Sequence, residues 1–366
     1  MTETKICVLS AKGRDRDSWL RAWETCGREP FAHPAYVELF TSEGEEARCA
    51  VARSANGLAL LPLILRPIQS AGWASETSLR DATSPYGYGG PYGIEDAVRD
   101  EVWSGFARWM TGNKIVSMFG RLALDAPTPR HLPRGATVRS DSENVIVDLT
   151  RSSGEQWRHY EHKVRKNVKK AVRANLHVDV KHSFTDLEEF SQLYESTMDR
   201  REASSWYYFG LNFFASLTER LDGSYIAAEV RDGTGRLVSA ELVLCSDKFL
   251  YSFLGGTLSE AFPHAPNDLL KHAVIDYGRE SGRAGYVLGG GYTKDDGIFR
   301  YKKSFDPTGC VQFQRLELIA DQTVYDSLIA GRLTHERSTD PRARLADGFF
   351  PSYRGQVLLD ERQDAQ

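Results

Sequence analysis

The sequence lacks several features that mark common classes of protein. Its 366 residues include five cysteines, an odd number scattered along the chain without any CxxC spacing. This argues against a disulfide framework or a zinc site and is typical of reduced thiols in the cytoplasm. No stretch approaches the roughly 18 apolar residues that a membrane span needs, and charged residues interrupt the N-terminus where a secretory leader would be apolar. We therefore expect a cytoplasmic protein without integral membrane association.

An excess of positive charge and the common catalytic motifs are also missing. The net charge is −4, which excludes a globally basic nucleic-acid binder, gives no reason to expect a DNA partner, and leaves room for a local basic patch. There is no GxSxG, HExxH, Walker A or dinucleotide motif after a strand. His159 and His162 lie close in sequence, but the cations around them would repel a metal ion, so we expect no metal site.

What the sequence does contain is a regular alternation of helical and strand patterns. With 41% hydrophobic residues, the chain is long enough for two domains with sizeable cores. The second half reads helix, helix, strand, strand, strand, helix, strand, and the first half has a related rhythm. This order predicts an α/β (α+β) protein with mixed, largely antiparallel sheets. We predict domains at 1–150 and 151–330, and a tail at 331–366 that is loop-like as far as Phe349 and then docks on the body.

The most informative stretch combines a short apolar strand, three glycines, an acidic turn and a pair of lysines. It reads GYVLGGGYTKDDGIFRYKKSFDPTG over residues 285–309. Gly290 and Gly291 lack a Cβ and would let the backbone approach a substrate closely. Tyr301 and Lys302 follow on a strand or short helix, where a lysine can face an anion or a developing oxyanion. The alternative is a glycine-rich loop followed by solvated lysines.

A predicted helix over residues 158–173 concentrates positive charge. Its sequence RHYEHKVRKNVKKAVR has seven Lys or Arg and one acid. An apolar stripe is formed by Val164, Val168, Ala171 and Val172, which places the cations on the solvent-exposed face of the helix. Candidates for binding the phosphates of a nucleotide, a pyrophosphate or an RNA backbone are Lys163, Arg165, Lys166, Lys169, Lys170 and Arg173. The alternative is a solvated face, although such faces normally mix both signs of charge.

A second irregular segment, residues 81–93, alternates glycine, proline and tyrosine. Its sequence DATSPYGYGGPYG cannot form a regular element. Tyr86 and Tyr88 offer flat, amphipathic surfaces and are candidates for substrate binding. The alternative is a tyrosine-rich packing loop.

One motif is misleading. Residues 279–284 match the R-x-x-G-x-A pattern with which acetyl-CoA-binding proteins hold a pyrophosphate. A phosphate cradle needs the free N–H groups at the start of a helix, whereas this match falls at a helix end, where carbonyls are presented. Ser281-Gly282 is better interpreted as a helix C-cap. The loop at residues 255–267, where a cradle would belong, has no such pattern, which weakens a CoA-dependent interpretation.

Taken together, these motifs resemble the Fem family of aminoacyl-tRNA-dependent transferases. The stretch Lys163–Ala171 is similar to the start of the family's second domain, and Tyr251–Gly256 followed by Gly289–Gly291 is similar to its middle. Gly297–Phe305, GIFRYKKSF, is similar to the family pattern G-[LIV]-[YF]-x-[FY]-K-x-x-[FY]. Ser84–Pro91 resembles a branch of the superfamily that is often described only as acetyltransferase-like. The resemblance covers most of the chain and implies two tandem acetyltransferase-like (GNAT-type) domains.

The resemblance also implies roles for individual residues. Lys302 would stabilise the tetrahedral oxyanion, with Tyr301 beside it at the reacting centre. Tyr251 would lie near the acceptor. Arg200 or Arg201 would correspond to an arginine that grips a phosphate of the substrate.

Two features of the family have no counterpart. The long helical arm that helps some members hold tRNA is missing, and residues 121–123 stand where a candidate base would lie in the first domain. A dedicated base is not essential when an amine attacks an activated ester.

The implied activity is transfer of an amino acid from aminoacyl-tRNA to an amine, forming an amide or peptide bond. Aminoacyl-tRNA would be the co-substrate, with no further cofactor. The acceptor would be a cell-wall precursor or a small amine-bearing metabolite such as an antibiotic intermediate, and the missing arm favours the small acceptor. The alternatives are an N-acyltransferase that uses acyl-CoA or an acyl carrier, and a non-catalytic protein that binds RNA or phosphate.

Overall fold

A computed structural model of the chain describes residues 5–55, 57–68, 73–74, 78–93, 95–126, 129–130, 132–293 and 295–360. Its helices are α1 Gly13–Thr25, α2 Pro34–Leu39, α3 Asp96–Gly112, α4 Ser153–His159, α5 His162–Arg173, α6 Leu187–Arg200, α7 Gly210–Arg220, α8 Pro266–Glu280, α9 Gly297–Lys303 and α10 Gln322–Thr339. Its strands are β1 Lys5–Ser10, β2 Glu46–Ser54, β3 Gly57–Pro67, β4 Arg80–Thr83, β5 Tyr92–Gly93, β6 Ile115–Arg121, β7 Ala136–Asp148, β8 His177–Lys181, β9 Tyr225–Arg231, β10 Leu237–Cys245, β11 Phe249–Thr257, β12 Gly285–Gly289, β13 Cys310–Ile319, β14 Ala343–Leu345 and β15 Val357–Leu359. In the described part of the chain, every helix is too short or too polar to cross a bilayer.

The chain divides into two compact units. Unit 1 consists of Met1–Cys26, Phe40–Ser140 and Gln314–Gln366, and unit 2 of Gly27–Leu39 and Asp141–Phe313. Neither unit is contiguous in sequence. The domain limits 1–150, 151–330 and 331–366 stay a prediction, because units defined by compactness need not coincide with domains.

Unit 1 is built on a largely antiparallel sheet. Strands β1 to β4 pair antiparallel in sequence order, β4 pairs parallel with β6, and β13 pairs antiparallel with β6 through Arg315–Ile319. Helix α3 packs on β2 and β3. It buries Val98, Val102 and Phe106, whose spacing of four residues places them on one helix face.

The C-terminal segment packs within unit 1. Helix α10 runs to Thr339. The expectation of a loop-like tail from residue 331 is therefore wrong for residues 331–339, which are helical. Tyr353 is fully buried, and its hydroxyl donates to Asp81 Oδ2 at 3.1 Å. Arg354 pairs with the same carboxylate at 2.5 Å. These contacts place the aromatic end of the tail against β4.

Unit 2 has the sheet order β7-β12-β11-β10-β9-β8. The β11–β12 pair is parallel and involves only Phe249–Tyr251 and Gly285–Val287, whereas the other neighbouring pairs are antiparallel. Helices α5 and α8 contribute to one core with these strands, and α6 packs on β10 and β11. A β-bulge shifts the β10–β11 register between Leu242 and Val243, and bulges of this kind re-aim side chains near functional sites.

The end of α8 confirms the interpretation of the misleading motif. Gly282 follows the C-cap Ser281 with a φ of +72°, a left-handed conformation that glycine adopts without strain. The Arg283 N–H then donates to the Gly278 carbonyl at 2.9 Å. This is the hydrogen-bond pattern of a helix C-cap.

The element order and strand directions confirm the predicted fold class. The predicted order is present as α6, α7, β9, β10, β11, α8 and β12. Both units are mixed α/β structures with largely antiparallel sheets.

Candidate active site

The glycine-rich loop after β12 packs against its own chain. Gly289 has a φ of +79°. A Cβ on Gly290 would lie 2.7 Å from the Glu143 carbonyl oxygen, and a Cβ on Gly291 would lie 2.5 Å from Asp296 Oδ1. Both distances are shorter than carbon–oxygen contacts allow, so the protein's own packing requires these glycines. Their contact with a substrate stays a prediction.

Asp296 fixes the loop to the start of α9. Its Oδ1 accepts a hydrogen bond from the Phe299 N–H at 2.7 Å, and its Oδ2 accepts from the Tyr292 N–H at 2.7 Å. These backbone donors, Phe299 first, hold the pKa of Asp296 below its ordinary value. The cap therefore sets the position of the helix that carries Tyr301 and Lys302.

Lys302 is hydrogen-bonded to this glycine-rich loop. Its Nζ donates to the Gly290 carbonyl at 2.6 Å. Burial, followed by the positive charges of Lys271 and Arg201, lowers the pKa of Lys302 to about 8. No carboxylate among the described residues forms an ion pair with it. An ammonium has three N–H donors, so two remain for a substrate.

Next to Lys302, a buried ion pair joins the sheet to α8. The Lys271 Nζ lies 2.5 Å from Glu241 Oε1, and it also donates to Ser252 Oγ at 2.8 Å and Tyr286 Oη at 3.0 Å. The Tyr286 hydroxyl donates to Glu241 Oε2 at 2.7 Å. Burial lowers the pKa of Lys271, and the Glu241 charge opposes that shift. The three N–H donors of Lys271 are all used within the protein, so its role is structural: it ties α8 to β10, β11 and β12.

The Tyr301 hydroxyl is buried and has no hydrogen-bond partner in the described structure. Its ring packs edge-on against Phe305, with centroids 5.3 Å apart. Burial and the negative charges of Asp268 and Glu241 raise the pKa of Tyr301 well above its ordinary value. The hydroxyl therefore stays protonated and can act as a donor.

The basic stretch differs from the single helix predicted over residues 158–173. It is broken at Tyr160, because α4 ends at His159 and α5 begins at His162. Tyr160 is buried against Phe305, and the Glu161 N–H donates to the Ser304 carbonyl at 2.9 Å. These tertiary contacts take the chain out of helical geometry.

Two further details of α5 differ from prediction. Val172 is 60% exposed, so the buried stripe consists of Val164, Val168 and Ala171. Arg165 is partly buried, and its guanidinium donates to the Tyr160 carbonyl. The remaining predicted phosphate-binding cations are exposed; they are Lys163, Lys166, Lys169, Lys170 and Arg173. Lys169 lies over the Trp157 ring at 5.8 Å.

One side chain connects this basic surface to the Tyr301 region. Asn167 of α5 donates to Asp268 Oδ1 at 3.2 Å. Asp268 is 6% exposed and lies in the first turn of α8. Burial raises its pKa to about 6, with Asn167 and the charge of Lys163 acting in the opposite direction.

Three other predicted site residues are Tyr251 on β11, Arg200 at the end of α6 and Arg201 directly after it. Tyr251 is buried and donates to Glu29 Oε2 at 2.7 Å. Arg200 donates to the Thr257 carbonyl at 2.8 Å and stacks over Phe262, and burial lowers its pKa. Arg201 is exposed, and its charge reaches Lys302. Their roles stay predictions, but only Arg201 has a recorded influence on Lys302.

Tyr86 and Tyr88 belong to unit 1, whereas all other predicted site residues belong to unit 2. The Tyr86 ring lies 5.6 Å from that of Phe40. The Tyr88 carbonyl accepts a hydrogen bond from the Tyr92 hydroxyl at 2.7 Å. Burial and the neighbouring Tyr86 raise the pKa of Tyr88. Substrate binding by this loop stays a prediction.

The sequence reasoning missed Glu241, Lys271 and Asp268. A signal existed, because Glu241 is the one charged residue in the strand LVSAELVLC, which is buried throughout. A charge in such a strand needs a partner, but nothing in the sequence says which one. Among the described residues, no three or more His, Cys, Asp or Glu side chains are grouped so as to hold a metal ion.

Known proteins support the fold of this chain. Residues 158–303 match the model of the acetyltransferase (GNAT) domain family. No curated protein sequence is similar enough to match.

Several solved structures share the fold across most of the chain. A crystal structure of FemX has a TM-score of 0.63 at 12% identity, and the match covers 88% of this chain and 99% of FemX. L-PGS from Bacillus licheniformis has a TM-score of 0.57 at 15% identity, with 88% and 97% covered. A structure described as the C-terminal domain of a lysylphosphatidylglycerol synthetase from Agrobacterium fabrum has a TM-score of 0.54 at 15% identity, with 88% and 96% covered. At these identities the similarity establishes the fold alone, and it confirms the Fem-like, acetyltransferase-type fold that the sequence motifs predicted.

Proposed function

We propose that the protein is an aminoacyltransferase that moves an amino acid from aminoacyl-tRNA to an amine of a small-molecule or cell-wall-precursor acceptor, forming an amide bond. The observation that carries the proposal is the Lys302 ammonium. It is partly buried, is positioned by the Gly290 carbonyl and has no carboxylate partner in the described structure. Such a group is suited to a substrate that develops negative charge.

The proposed reaction begins when the acceptor nitrogen attacks the carbonyl carbon of the aminoacyl ester. The carbonyl oxygen becomes an oxyanion, and the free N–H groups of Lys302 donate to it. The buried Tyr301 hydroxyl is a second donor, because its raised pKa keeps it protonated. The bond from the carbonyl carbon to the ribose oxygen then breaks, one N–H proton of the amine is transferred to that oxygen, and the amide product leaves.

The exposed cations of α5 would hold the RNA backbone. Phosphate contacts supply most of the sequence-independent affinity of RNA-binding proteins, and α5 meets the Tyr301 region through the Asn167–Asp268 contact. The motif resemblance to Fem transferases and the shared fold with a lysylphosphatidylglycerol synthetase support an aminoacyl donor. We propose that aminoacyl-tRNA is the co-substrate, that no other cofactor is used, and that the reaction is cytoplasmic. A small acceptor fits the sequence best.

The match to an acetyltransferase domain family favours a second candidate, an acyltransferase that uses acyl-CoA or an acyl carrier. The start of α8 is poorly suited to the CoA diphosphate. Residues 259–264 form a 3-10 helix, Pro266 stands at the first helical position, and Asp268 follows in the first turn. Proline has no N–H to donate, and a carboxylate repels phosphate. These features favour the tRNA-dependent reaction.

The test is a transfer assay with radiolabelled aminoacyl-tRNAs and a small-molecule fraction of cell extract. We expect label in a small product, loss of that product after RNase treatment, and a 10²- to 10³-fold lower rate for Lys302→Met, the loss typical of one oxyanion donor. Lys303→Met, on the same helix, is the matched control and should keep the wild-type rate. Transfer that requires acyl-CoA and resists RNase would instead assign the acyltransferase activity.

A charge-reversal variant separates catalysis from RNA binding alone. Lys166→Glu with Lys169→Glu should raise the KM for charged tRNA at least tenfold and leave kcat near wild type, because the proposed role of the two side chains is to bind phosphate and not to contact the reacting atoms. A non-catalytic RNA-binding protein would lose RNA binding in this variant and would be indifferent to Lys302→Met.

A further inference from the structure

Asp268 is a buried carboxyl group without an ion-pair partner. It is 6% exposed, and its recorded side-chain partner is the neutral amide of Asn167 at 3.2 Å. No Lys, Arg or His in the described structure lies in ion-pair contact with it. Buried carboxylates are nearly always paired with a cation, and an exception whose ionisation is perturbed by burial is a candidate for proton transfer.

Asp268 lies close enough to Tyr301 for its negative charge to contribute to the raised pKa of the Tyr301 hydroxyl. Asp268 and His272 are four residues apart on α8 and therefore share a face. His272 Nδ1 lies 3.1 Å from the Tyr160 hydroxyl. Phe305 packs edge-on against both Tyr160, at 5.7 Å, and Tyr301, at 5.3 Å. The Tyr301 hydroxyl is buried and lacks a hydrogen-bond partner in the described structure, so it is free to donate to a polar group of a ligand.

We propose that Asp268 is the general base that takes the proton from the acceptor amine during transfer. This inference rests on the proposed aminoacyl transfer. As the amine nitrogen forms its bond to the ester carbonyl carbon, one N–H proton passes to the Asp268 carboxylate. When the tetrahedral intermediate collapses, the bond from that carbon to the ribose oxygen breaks and Asp268 returns the proton to this oxygen. The products are an amide and a free ribose hydroxyl, and the carboxylate is regenerated.

The electrostatic surroundings suit this role. Burial raises the pKa of Asp268 to about 6, so at neutral pH the group is ionised and is a stronger base than an ordinary carboxylate. The charged or titratable groups near it are Lys163 on α5, Lys271 and His272 on α8, and Tyr301 on α9. Burial lowers the pKa of His272 and raises that of Tyr301, so both are neutral at pH 7. The hydrogen bond from Asn167 and the positive charge of Lys163 favour the ionised form of Asp268.

The test compares Asp268→Asn with wild type in the RNase-sensitive transfer assay between pH 5.5 and 8. Asparagine has nearly the same size and can still accept the hydrogen bond of Asn167. We expect kcat to fall 10²- to 10³-fold, within the usual range for a general base, with the KM for charged tRNA unchanged. The wild-type rate should fall as pH drops through about 6, and the variant should lack this acidic limb. Glu280→Gln on the same helix, where the side chain is 71% exposed and pairs with Arg279, is the control and should keep both rate and limb.

Rescue supplies a second variant. Asp268→Gly leaves space for a small carboxylate. Added formate should therefore raise the transfer rate of Asp268→Gly at least tenfold and should not change the rate of Asp268→Asn. The role of Asp268 would be overturned if Asp268→Asn kept its rate within threefold of wild type and kept the acidic limb. If Lys302→Met were inactive in the same assay, the proposed function would still stand. Absence of RNase-sensitive transfer by the wild-type protein would overturn both.

Discussion

Removal of Lys271 should destabilise the protein far more than removal of an ordinary lysine. The side chains of Lys271 and Glu241 are 13% and 7% exposed, so Lys271→Met leaves the Glu241 carboxylate buried with only hydroxyl partners. Breaking a buried ion pair by removing one partner typically costs about 3–5 kcal/mol in the free energy of unfolding. In a domain of 150–250 residues, 1 kcal/mol corresponds to roughly 2–4 °C in Tm. We therefore expect Tm to fall by roughly 6–20 °C.

The double variant Glu241→Gln with Lys271→Met tests the cause. It removes both charges and leaves an amide that the Tyr286 and Ser252 hydroxyls can still contact. We expect it to recover at least half of the lost stability, since replacing a whole buried pair by neutral groups of similar volume is often close to neutral.

Lys248→Met is the matched control for this cycle. Lys248 is exposed, and its Nζ lies 4.9 Å from the Phe249 ring centroid, much as Lys271 lies 5.2 Å from that of Tyr286. We expect a loss below about 1 kcal/mol for this exposed cation–π contact. All three variants would be measured by thermal unfolding at one pH and ionic strength. A loss below 1 kcal/mol for Lys271→Met, or no recovery in the double variant, would refute the argument that Glu241 depends on this ammonium.

Two further predictions concern the Lys302 loop. The transfer rate should fall as pH rises through about 8, because Lys302 then loses the proton that stabilises the oxyanion, and Lys302→Arg should shift this fall to higher pH because a guanidinium stays charged; a wild-type rate that is flat to pH 9 would contradict the assignment. Gly291→Ala should lower the free energy of unfolding by about 1–2 kcal/mol and reduce the transfer rate, because its Cβ would meet the Asp296 carboxylate at 2.5 Å and disturb the cap of α9. Gly297→Ala, whose Cβ would meet nothing within 4 Å, is the control in denaturant unfolding, and equal losses in the two variants would exclude the clash.

Local patterns predicted the elements of unit 2 because helix and strand periodicities are properties of neighbouring residues. They gave the strand order around β9, β10 and β11 and the end of α8 at Ser281-Gly282. The break at Tyr160 was missed, since its cause is a contact with Phe305, which is distant in sequence. For the same reason nothing predicted that residues 27–39 belong to unit 2, where Glu29 accepts the hydrogen bond of Tyr251.

The candidate site was predictable only in part. The spacing of Lys302 and the glycines was visible in the sequence, because both lie within one short segment. The partners of a buried charge come from other elements, so Glu241, Lys271 and Asp268 became evident only when β10 and α8 were placed together. Val172 is exposed although periodicity places it on the apolar face of α5. Periodicity predicts which face of a helix a residue lies on, but it does not predict whether another element packs against that position.

The charge balance around Lys302 is the strongest reason to expect an anionic transition state there. Lys271 and Glu241 neutralise each other through a direct contact, so Lys302 is left as an ammonium whose recorded contact is the neutral Gly290 carbonyl. Its lowered pKa indicates that burial and nearby positive charge destabilise the charged form of Lys302. An oxyanion placed near the two free N–H groups would stabilise the charged form again, whereas a neutral ester would not. In the proposed reaction the interaction would therefore strengthen as the oxyanion forms, which is the condition for catalysis.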